Sequence, residues 1–311
     1  MGSGASTEPG SDVLASSETS CATVTLQDLD SDDFHSITID EIGALESPSA
    51  LADLFSSCRS APARLEMDDL GISESSSSEF LLKVPPELRT SIVALSLSKN
   101  NIRLGATSFH EAMQACGHFL LELNLSENPN LFAPPIPIPA TNPLSPLVNL
   151  INLDMSFTTI IEKSSLQLLL SSLTKLQKLS LEACELDSLS VNDEKEKTFI
   201  MSNLSSLVEL NLQDNKLADL KALSDLGSLS LTQIDLRDND VTTTANYRKG
   251  VTKMLPLLER LDGQPTKVVQ AKIDESNEIL RRDNLLENLT PGLVKEFDKA
   301  MKNEVDSTVV A

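Results

Sequence analysis

The chain has 311 residues and a formal net charge of −21, with no tryptophan and a single tyrosine. This length allows one large domain or two small ones, and the core must be built from aliphatic side chains. Phosphate binding draws its affinity from clustered lysine and arginine, and base stacking needs aromatic side chains, which make up 3% of the residues. We therefore expect no direct nucleic-acid partner.

The first six residues match the N-myristoylation pattern, with glycine second and serine sixth. Removal of Met1 would make Gly2 the acceptor of the acyl chain. One acyl chain binds membranes only weakly, with an association constant of about 10⁴ M⁻¹, and anionic lipid would repel the acidic flank. A membrane-associated adaptor is therefore an alternative function that depends on acylation of Gly2, and a chance match to the pattern is the other interpretation.

Residues 1–84 differ in composition from the rest of the chain. The first 80 residues are rich in serine and hold sixteen acidic side chains against two arginines, which accounts for 14 of the 21 net negative charges. Such a composition is typical of disorder, and we predict a mostly disordered acidic arm. Two apolar patches, 24–45 and 47–55, are candidates for segments that fold on a partner or on the rest of the chain. A solvated acidic tail is the alternative.

Six copies of one short pattern follow the arm. In the clearest copy, Leu207, Leu210 and Leu212 are followed by Asn215. Leu210 and Leu212 point to the same side of an extended strand, because successive side chains of a strand alternate. Asn215 can then bond to the backbone where the strand ends and the chain turns a corner. One such unit cannot bury its apolar side alone, so the copies must stack on one another.

The asparagine position falls at residues 100, 128, 158, 184, 215 and 239, and Thr158 and Cys184 replace asparagine there. Both replacements are small and can form hydrogen bonds, so we expect the corner to persist with fewer bonds. The pattern resembles that of the leucine-rich-repeat family. This resemblance implies an α/β fold, a curved solenoid with a parallel sheet on its concave side and helices and loops on its convex side. We assign the solenoid to residues 85–263.

A second motif ends the solenoid at residues 246–263. Its pattern is Y-R-x-x-V followed by L-P-x-L-x-x-L-D, from Tyr247 to Asp262. The segment resembles the C-terminal cap of axonemal dynein light chains, a nuclear regulatory subunit of protein phosphatase-1 and the A-prime splicing subunit. The resemblance implies a helix that covers the last apolar edge. It also favours a binding protein, either in an axonemal or cytoskeletal complex or, as the alternative, as a phosphatase-regulatory subunit.

Residues 264–311 carry two amphipathic patterns. Apolar residues between 266 and 286 predict a surface helix, and a second helix is predicted after Thr290, which can serve as its cap. We expect a helical extension that packs on the cap or offers a helix to a partner.

No motif for catalysis, a cofactor or a metal is found. The chain has three histidines and no CxxC pair, and the acidic segment 28–33 lacks the glycine that a calcium loop needs at its sixth position. We therefore predict a non-enzyme that needs no cofactor and no metal. With no signal peptide or membrane span in the sequence, we expect a cytoplasmic location, ciliary or cytoskeletal by the resemblance, and leave a nuclear one open.

Side chains between and beside the strand leucines face the concave side of the predicted sheet, and we predict that this concave face binds a protein partner. The candidate residues are Glu122, Asn124, Asn152, Asp154, Phe157, Lys178, Ser180, Glu209, Asn211, Asp235 and Arg237. Acids outnumber bases on this face, and Phe157 is its apolar spot. This composition favours a basic, helical or extended segment of another protein as the ligand, and a merely solvated sheet face is the alternative.

Overall fold

The computed structural model describes residues 35–38, 63–73, 89–105, 107–133, 142–192 and 197–287. All of these residues belong to one compact unit that spans residues 33–311. Gly2, most of the predicted acidic arm and the helix predicted after Thr290 lie outside the described residues.

Within this part of the chain, ten strands form one sheet, and all neighbouring strands except the last pair are parallel. In sheet order the strands are β1 (His35–Thr38), β2 (Ala63–Glu66), β3 (Ile92–Ser96), β4 (Glu122–Asn124), β5 (Asn152–Asp154), β6 (Lys178–Ser180), β9 (Glu209–Asn211), β10 (Gln233–Asp235), β11 (Arg260–Leu261) and β12 (Gln264–Pro265). The remaining two strands, β7 (Ser190–Asn192) and β8 (Lys197–Phe199), form a separate antiparallel hairpin. The predicted solenoid with a parallel sheet is confirmed.

The register of the sheet stacks the strand leucines directly on one another. Leu95, Leu123, Leu153, Leu179 and Leu210 occupy equivalent positions on consecutive neighbours from β3 to β9. All of them are buried in one continuous core. Because each strand residue on either side of a leucine points the other way, its neighbours are left on the opposite face of the sheet.

Helices and short 3₁₀ turns return the chain from one strand to the next. The helices of the described residues are α1 (Thr107–Cys116), α2 (Lys163–Leu170), α3 (Tyr247–Met254) and α4 (Lys267–Glu287), the last of which follows the final strand, and the 3₁₀ turns are Ser224–Ser228 and Asp240–Thr243. In α1 the buried side chains are Phe109, Ala112, Met113 and Cys116, whose spacing places them on one face of a helix. This face packs into the common core, as expected for the convex layer.

A ladder of buried asparagines holds the corners together, and each asparagine serves the coil before its own. The Asn215 amide oxygen accepts hydrogen bonds from the backbone N–H groups of Cys184 (3.2 Å) and Leu186 (2.9 Å). Its amide nitrogen donates to the carbonyl of Leu181 in the preceding coil (2.8 Å) and to that of Leu212 in its own (2.9 Å). Asn100, Asn128 and Asn239 make equivalent bonds.

Thr158 and Cys184 make fewer bonds at the same position. The Thr158 hydroxyl donates to the carbonyl of Met155 in its own coil (2.6 Å), and the Cys184 thiol donates weakly to the same carbonyl (3.2 Å). The corner is kept at both places, because the threonine and cysteine side chains are buried and fill the space of the amide. The side-chain hydrogen bonds between coils are therefore fewest in the middle of the ladder, at Thr158 and Cys184.

The sheet begins earlier than the predicted boundary at residue 85. β2 pairs with β3, and Leu65, Met67 and Ile72 are buried in the common core. This coil carries Leu70 where the pattern requires asparagine. Its corner is satisfied by Asn100 of the next coil, whose side chain accepts from the N–H groups of Leu70 (3.1 Å) and Ile72 (2.9 Å). β1 pairs with β2 in turn, so part of the predicted arm belongs to the sheet.

The last coil is closed by Asp262 and Tyr247. The Asp262 carboxylate accepts a hydrogen bond from the Leu236 N–H (3.0 Å). In the coils before it, the equivalent N–H donates to a backbone carbonyl of the next coil, as Leu212 does to Asp235. The Tyr247 hydroxyl donates to the Asp262 carboxylate (3.1 Å), and Arg248 lies 3.6 Å from it. Burial, reinforced by Asp262, raises the pKa of the Tyr247 hydroxyl, so it stays protonated and able to donate. β12 then turns back antiparallel along β11.

Replacing Asn215 with alanine should lower the free energy of unfolding by about 2–4 kcal/mol, because two buried N–H groups lose their acceptor. Thr158→Ala removes a single bond to the backbone and should cost about 1 kcal/mol. Both values can be measured by urea denaturation followed by circular dichroism.

Asn130→Ala is the matched control, because among the described residues the Asn130 side chain bonds only to the exposed side chain of Asn101. It should change stability by less than about 0.5 kcal/mol. Equal losses for Asn130→Ala and Asn215→Ala would show that the ladder does not hold the coils together.

Because two thiols are buried, we expect the folded chain to lose stability at alkaline pH. Burial raises the pKa of Cys116 from 9.0 to about 12 and that of Cys184 from 9.0 to about 11. Above pH 9 the unfolded chain therefore releases thiol protons that the folded chain keeps, and the free energy of unfolding falls by up to about 1.4 kcal/mol per pH unit for each thiol. The double variant Cys116→Ala/Cys184→Ala should flatten the measured dependence between pH 9 and 11. An unchanged slope would contradict it.

Candidate protein-binding face

The structure brings nine of the predicted site residues together in two columns that cross the sheet. One column holds Glu122, Asn152, Lys178 and Glu209, and the other holds Asn124, Asp154, Ser180, Asn211 and Asp235. Each of these residues is half-buried and flanks a buried leucine or isoleucine, as strand alternation requires. Arg237 lies two residues beyond Asp235, and Phe157 lies at the corner after β5. Together they form the concave face.

Four residues of the second column also hold the backbone in place. Asn124, Asp154, Asn211 and Asp235 each accept a hydrogen bond from the N–H group two residues further along, at 2.9–3.1 Å. This is the Asx turn, in which a short side chain takes over a backbone bond. It fixes the point where the strand gives way to the corner. The sequence pattern did not show this second role.

Three of the basic groups on the concave face are already paired with acids. Arg64 lies 2.8 Å from Glu122, and Lys178 lies 3.6 Å from Glu209. Arg237 contacts Asp235 at 2.6 Å, and hydrogen bonds to Asp235 raise the pKa of the Arg237 guanidinium. The charge that these bases bring to the face is therefore largely cancelled within it.

Asp154 is different, because no salt bridge joins it to any described residue. Its carboxylate accepts bonds from the Ser156 N–H (2.9 Å) and the Ser156 hydroxyl (2.6 Å), which in turn lies 2.7 Å from the Ser180 hydroxyl. These neutral groups hold the carboxylate still without neutralising it. Asp154 thus places an uncompensated negative charge near the middle of the sheet.

Two shallow polar depressions lie along the concave face. The first, about 320 Å³, is lined by Asp154 together with Arg64, Glu66, Asp68 and Glu122 among others, so acids exceed bases there. The second, about 310 Å³, is lined by Glu209, Asp235, Lys178 and Arg260 among others, and its charges balance. The negative charge of the face is therefore concentrated in its N-terminal half.

Phe157 has an unusual backbone for an aromatic residue. Its φ is 57°, in the left-handed region, and its side chain is 51% exposed. The same position is left-handed in neighbouring coils, at Glu127, Ala183 and Asp214. The Phe157 N–H donates to the Glu182 carbonyl of the next coil (2.7 Å), and Ala183 and Asp214 make equivalent bonds. The backbone bonds between coils therefore impose the left-handed conformation on this position, and Phe157 adopts it with about half of the residue exposed to solvent.

Neither a metal site nor a membrane-spanning helix is found in the part of the chain that the structure covers. Among those residues, no group of three or more histidine, cysteine, aspartate and glutamate side chains could hold a metal ion. None of the helices formed by the described residues is long and apolar enough to span a membrane.

Comparison with known proteins gives short or distant matches. No family model matches the chain. A stretch of 55 residues is 49% identical to Acidic leucine-rich nuclear phosphoprotein 32 family member A of Drosophila pseudoobscura, over 17% of this chain and 21% of the relative. The Drosophila melanogaster SNF/U2A' complex is 22% identical over 42% of this chain and 76% of that chain, with a TM-score of 0.31. An internalin (inlF) of Listeria monocytogenes is 18% identical over 69% and 62%, with a TM-score of 0.38.

The chain is a leucine-rich-repeat solenoid. The stacked coils, the asparagine ladder and the leucine-rich relatives all point to this fold. The chain spans about a fifth of the length of the curated relatives that it matches.

The leucine-rich-repeat pattern missed part of the concave face. Arg64, Glu66 and Asp68 extend the first depression on β2 and just after it, in the coil that lacks the asparagine. Asp68 accepts from the Ser98 N–H (2.8 Å) and the Ser96 hydroxyl (2.7 Å) of the next coil. The alternation of Leu65 and Met67 is the signal that could have revealed this coil.

Phe157→Asn should raise the free energy of unfolding by about 0.5–1 kcal/mol, because asparagine tolerates the left-handed region and about half of the phenylalanine is already exposed. Urea denaturation measures the change. Ala183→Asn is a matched substitution at the same position of the next coil. A loss of more than about 1 kcal/mol for Phe157→Asn alone would show that the ring stabilises the fold.

Proposed function

We propose that this leucine-rich-repeat chain is a non-catalytic interaction scaffold that holds a basic segment of another protein on its concave face. The observation that carries the proposal is the Asp154 carboxylate, which is half-buried, fixed by Ser156 and joined to no basic side chain among the described residues. A carboxylate held in this way by the fold is ready to receive a cation from a ligand.

The negative charge at Asp154 is not required by the turn it forms. Asn124 and Asn211 form the same Asx turn in other coils with a neutral side chain. Asp235 also carries a charge there, but Arg237 pairs with it. The charge at Asp154 is therefore additional to the structural role, and a ligand is what can use it.

Phe157 supplies an apolar contact in the same coil, three residues after Asp154. Aromatic side chains are enriched among the residues that anchor protein interfaces. We infer that the ligand places a lysine or arginine in the first depression and an apolar side chain against Phe157.

The size of the concave face suits a single segment of chain. Eight strands from β2 to β11, at about 4.8 Å spacing, make a surface about 34 Å long. A helix of about 22 residues or an extended segment of about 10 residues has this length. Either form agrees with the proposed ligand.

The matched relatives are named as nuclear phosphoproteins. On this ground we propose a nuclear setting ahead of the axonemal or cytoskeletal one that the cap motif favours. The identity of captured partners decides between them.

The test compares proteins captured from a native lysate by the full-length chain and by Asp154→Asn, which keeps the turn and removes the charge. Partners of the concave face should bind Asp154→Asn about tenfold more weakly, a loss of about 1.4 kcal/mol. Their binding to the wild type should also weaken as salt is raised. Phe157→Asn should weaken binding of the same partners, because it removes the apolar anchor.

Glu111→Gln is the matched control, since it removes one exposed negative charge from α1, away from the concave face. It should leave capture unchanged. Circular dichroism and thermal unfolding establish that every variant is folded. If Asp154→Asn and Glu111→Gln capture the same partners with equal affinity, the concave face is not the binding site.

A further inference from the structure

A second surface of the chain has the opposite character to the concave face. It is the groove between α3 and the first turns of α4, with a volume of about 640 Å³, twice that of either depression on the concave face. Among its lining residues are four basic side chains, Arg248, Lys249, Lys267 and Lys272, and one acid, Glu259. This is a local excess of positive charge on a chain with a net charge of −21.

The lysines of the groove are not neutralised by neighbouring acids. Within the residues that the structure describes, no salt bridge involves Lys249, Lys267 or Lys272, and Arg248 lies 3.6 Å from Asp262. All three lysines are exposed. Like charges grouped in this way repel one another, so a ligand with negative charge relieves an unfavourable arrangement.

The groove also exposes apolar side chains. Leu257 is 60% exposed and Val268 is 68% exposed, and both line the groove. From Lys267 to Arg281, every side chain of α4 except Val269 is exposed, so the helix packs little against the solenoid. Helices in proteins gain most of their stability from packing of an apolar face, and α4 lacks such packing over these residues.

A buried hydroxyl at the start of α4 completes the site. Thr266 lines the groove and is 5% exposed, and its hydroxyl has no hydrogen-bond partner among the described residues. The backbone groups of Thr266 are occupied, because its N–H donates to the backbone carbonyl of Glu259 (2.8 Å) and its carbonyl accepts from the backbone N–H of Gln270 (2.8 Å). The first N–H groups of a helix have no partner within the helix and attract negative charge. No acidic side chain lies in the first turn of α4.

We propose that this groove binds an acidic amphipathic segment of a partner protein. The carboxylates of this segment lie at the start of α4 among Lys249, Lys267 and Lys272. One of these carboxylates accepts a hydrogen bond from the Thr266 hydroxyl. The apolar side chains of the segment cover Leu257 and Val268. The chain thus joins two partners of opposite charge, a basic one on the concave face and an acidic one at the C-terminal end of the sheet.

The test uses a fluorescent synthetic 14-residue peptide of leucine and glutamate, with leucine at helical spacing, and measures anisotropy with the full-length chain. The triple variant Lys249→Glu/Lys267→Glu/Lys272→Glu should bind it at least tenfold more weakly. Its control, Lys175→Glu/Lys216→Glu/Lys221→Glu, changes the net charge equally at exposed positions outside the groove and should bind within about twofold of wild type. A peptide with lysine in place of glutamate carries the charge that suits the concave face, so its binding should not be weakened by the groove variant.

Thr266→Val isolates the hydroxyl, because valine keeps the shape and removes a group that makes no bond. It should weaken peptide binding about three- to tenfold and leave thermal stability unchanged or slightly raised. Equal weakening by the two triple variants, weaker binding of the lysine peptide in the groove variant, or unchanged affinity in Thr266→Val would each overturn the site.

Two further measurements exclude other occupants. In sedimentation the wild-type chain should not self-associate through the groove. Self-association that is lost in the groove variant would mean that a second copy of the chain is the ligand. The full-length variant Asp28→Asn/Asp30→Asn/Asp32→Asn/Asp33→Asn should bind the peptide with wild-type affinity. Higher affinity in this variant would mean that the acidic segment of the chain itself occupies the groove, and would overturn a separate partner.

Discussion

The structure depends on how the backbone is satisfied at each corner between coils. A strand that ends inside a stack leaves buried N–H and carbonyl groups, and these must find partners. The asparagine of the following coil supplies them, as Asn215 does for Cys184 and Leu186. Each coil is thus completed by its successor. The last coil has no following coil to bond to, and the Asp262 carboxylate of the closing segment accepts the hydrogen bond of the Leu236 N–H instead.

This dependence explains which parts of the fold were predictable. The coils from β3 to β10 follow from leucine and asparagine spacing, because the residues that build each coil lie within one short stretch of sequence. β1 and β2 were missed because neither carries the full leucine and asparagine pattern, and Leu70 occupies the asparagine position of the β2 coil. The corner after β2 is nevertheless like the others, because Asn100 of the next coil accepts from the N–H groups of Leu70 and Ile72. A composition average over residues 1–84 also hides a strand of four residues.

The concave face was predictable in position but not in detail. Strand alternation gives the two columns, because a residue between two buried leucines must face outward. The Asx turns at Asn124 and Asp235, and the left-handed φ of Phe157, recur at fixed positions of the repeat, but the residue types there vary, so the leucine and asparagine pattern did not reveal them. The pairing of Arg64 with Glu122 joins residues two coils apart, so a count of charges could not show which carboxylate stays uncompensated.

The same turn gives the concave face its bias towards negative charge. Four of the five residues in the second column accept a backbone N–H through a short oxygen-bearing side chain, a role that lysine or arginine cannot fill. Acids can enter this column at no structural cost, whereas bases must come from the outer positions. The groove at α4 is under no such constraint, and the open N-terminus of a helix favours anions there. The opposite charges of the two surfaces thus follow from the backbone groups each one must serve.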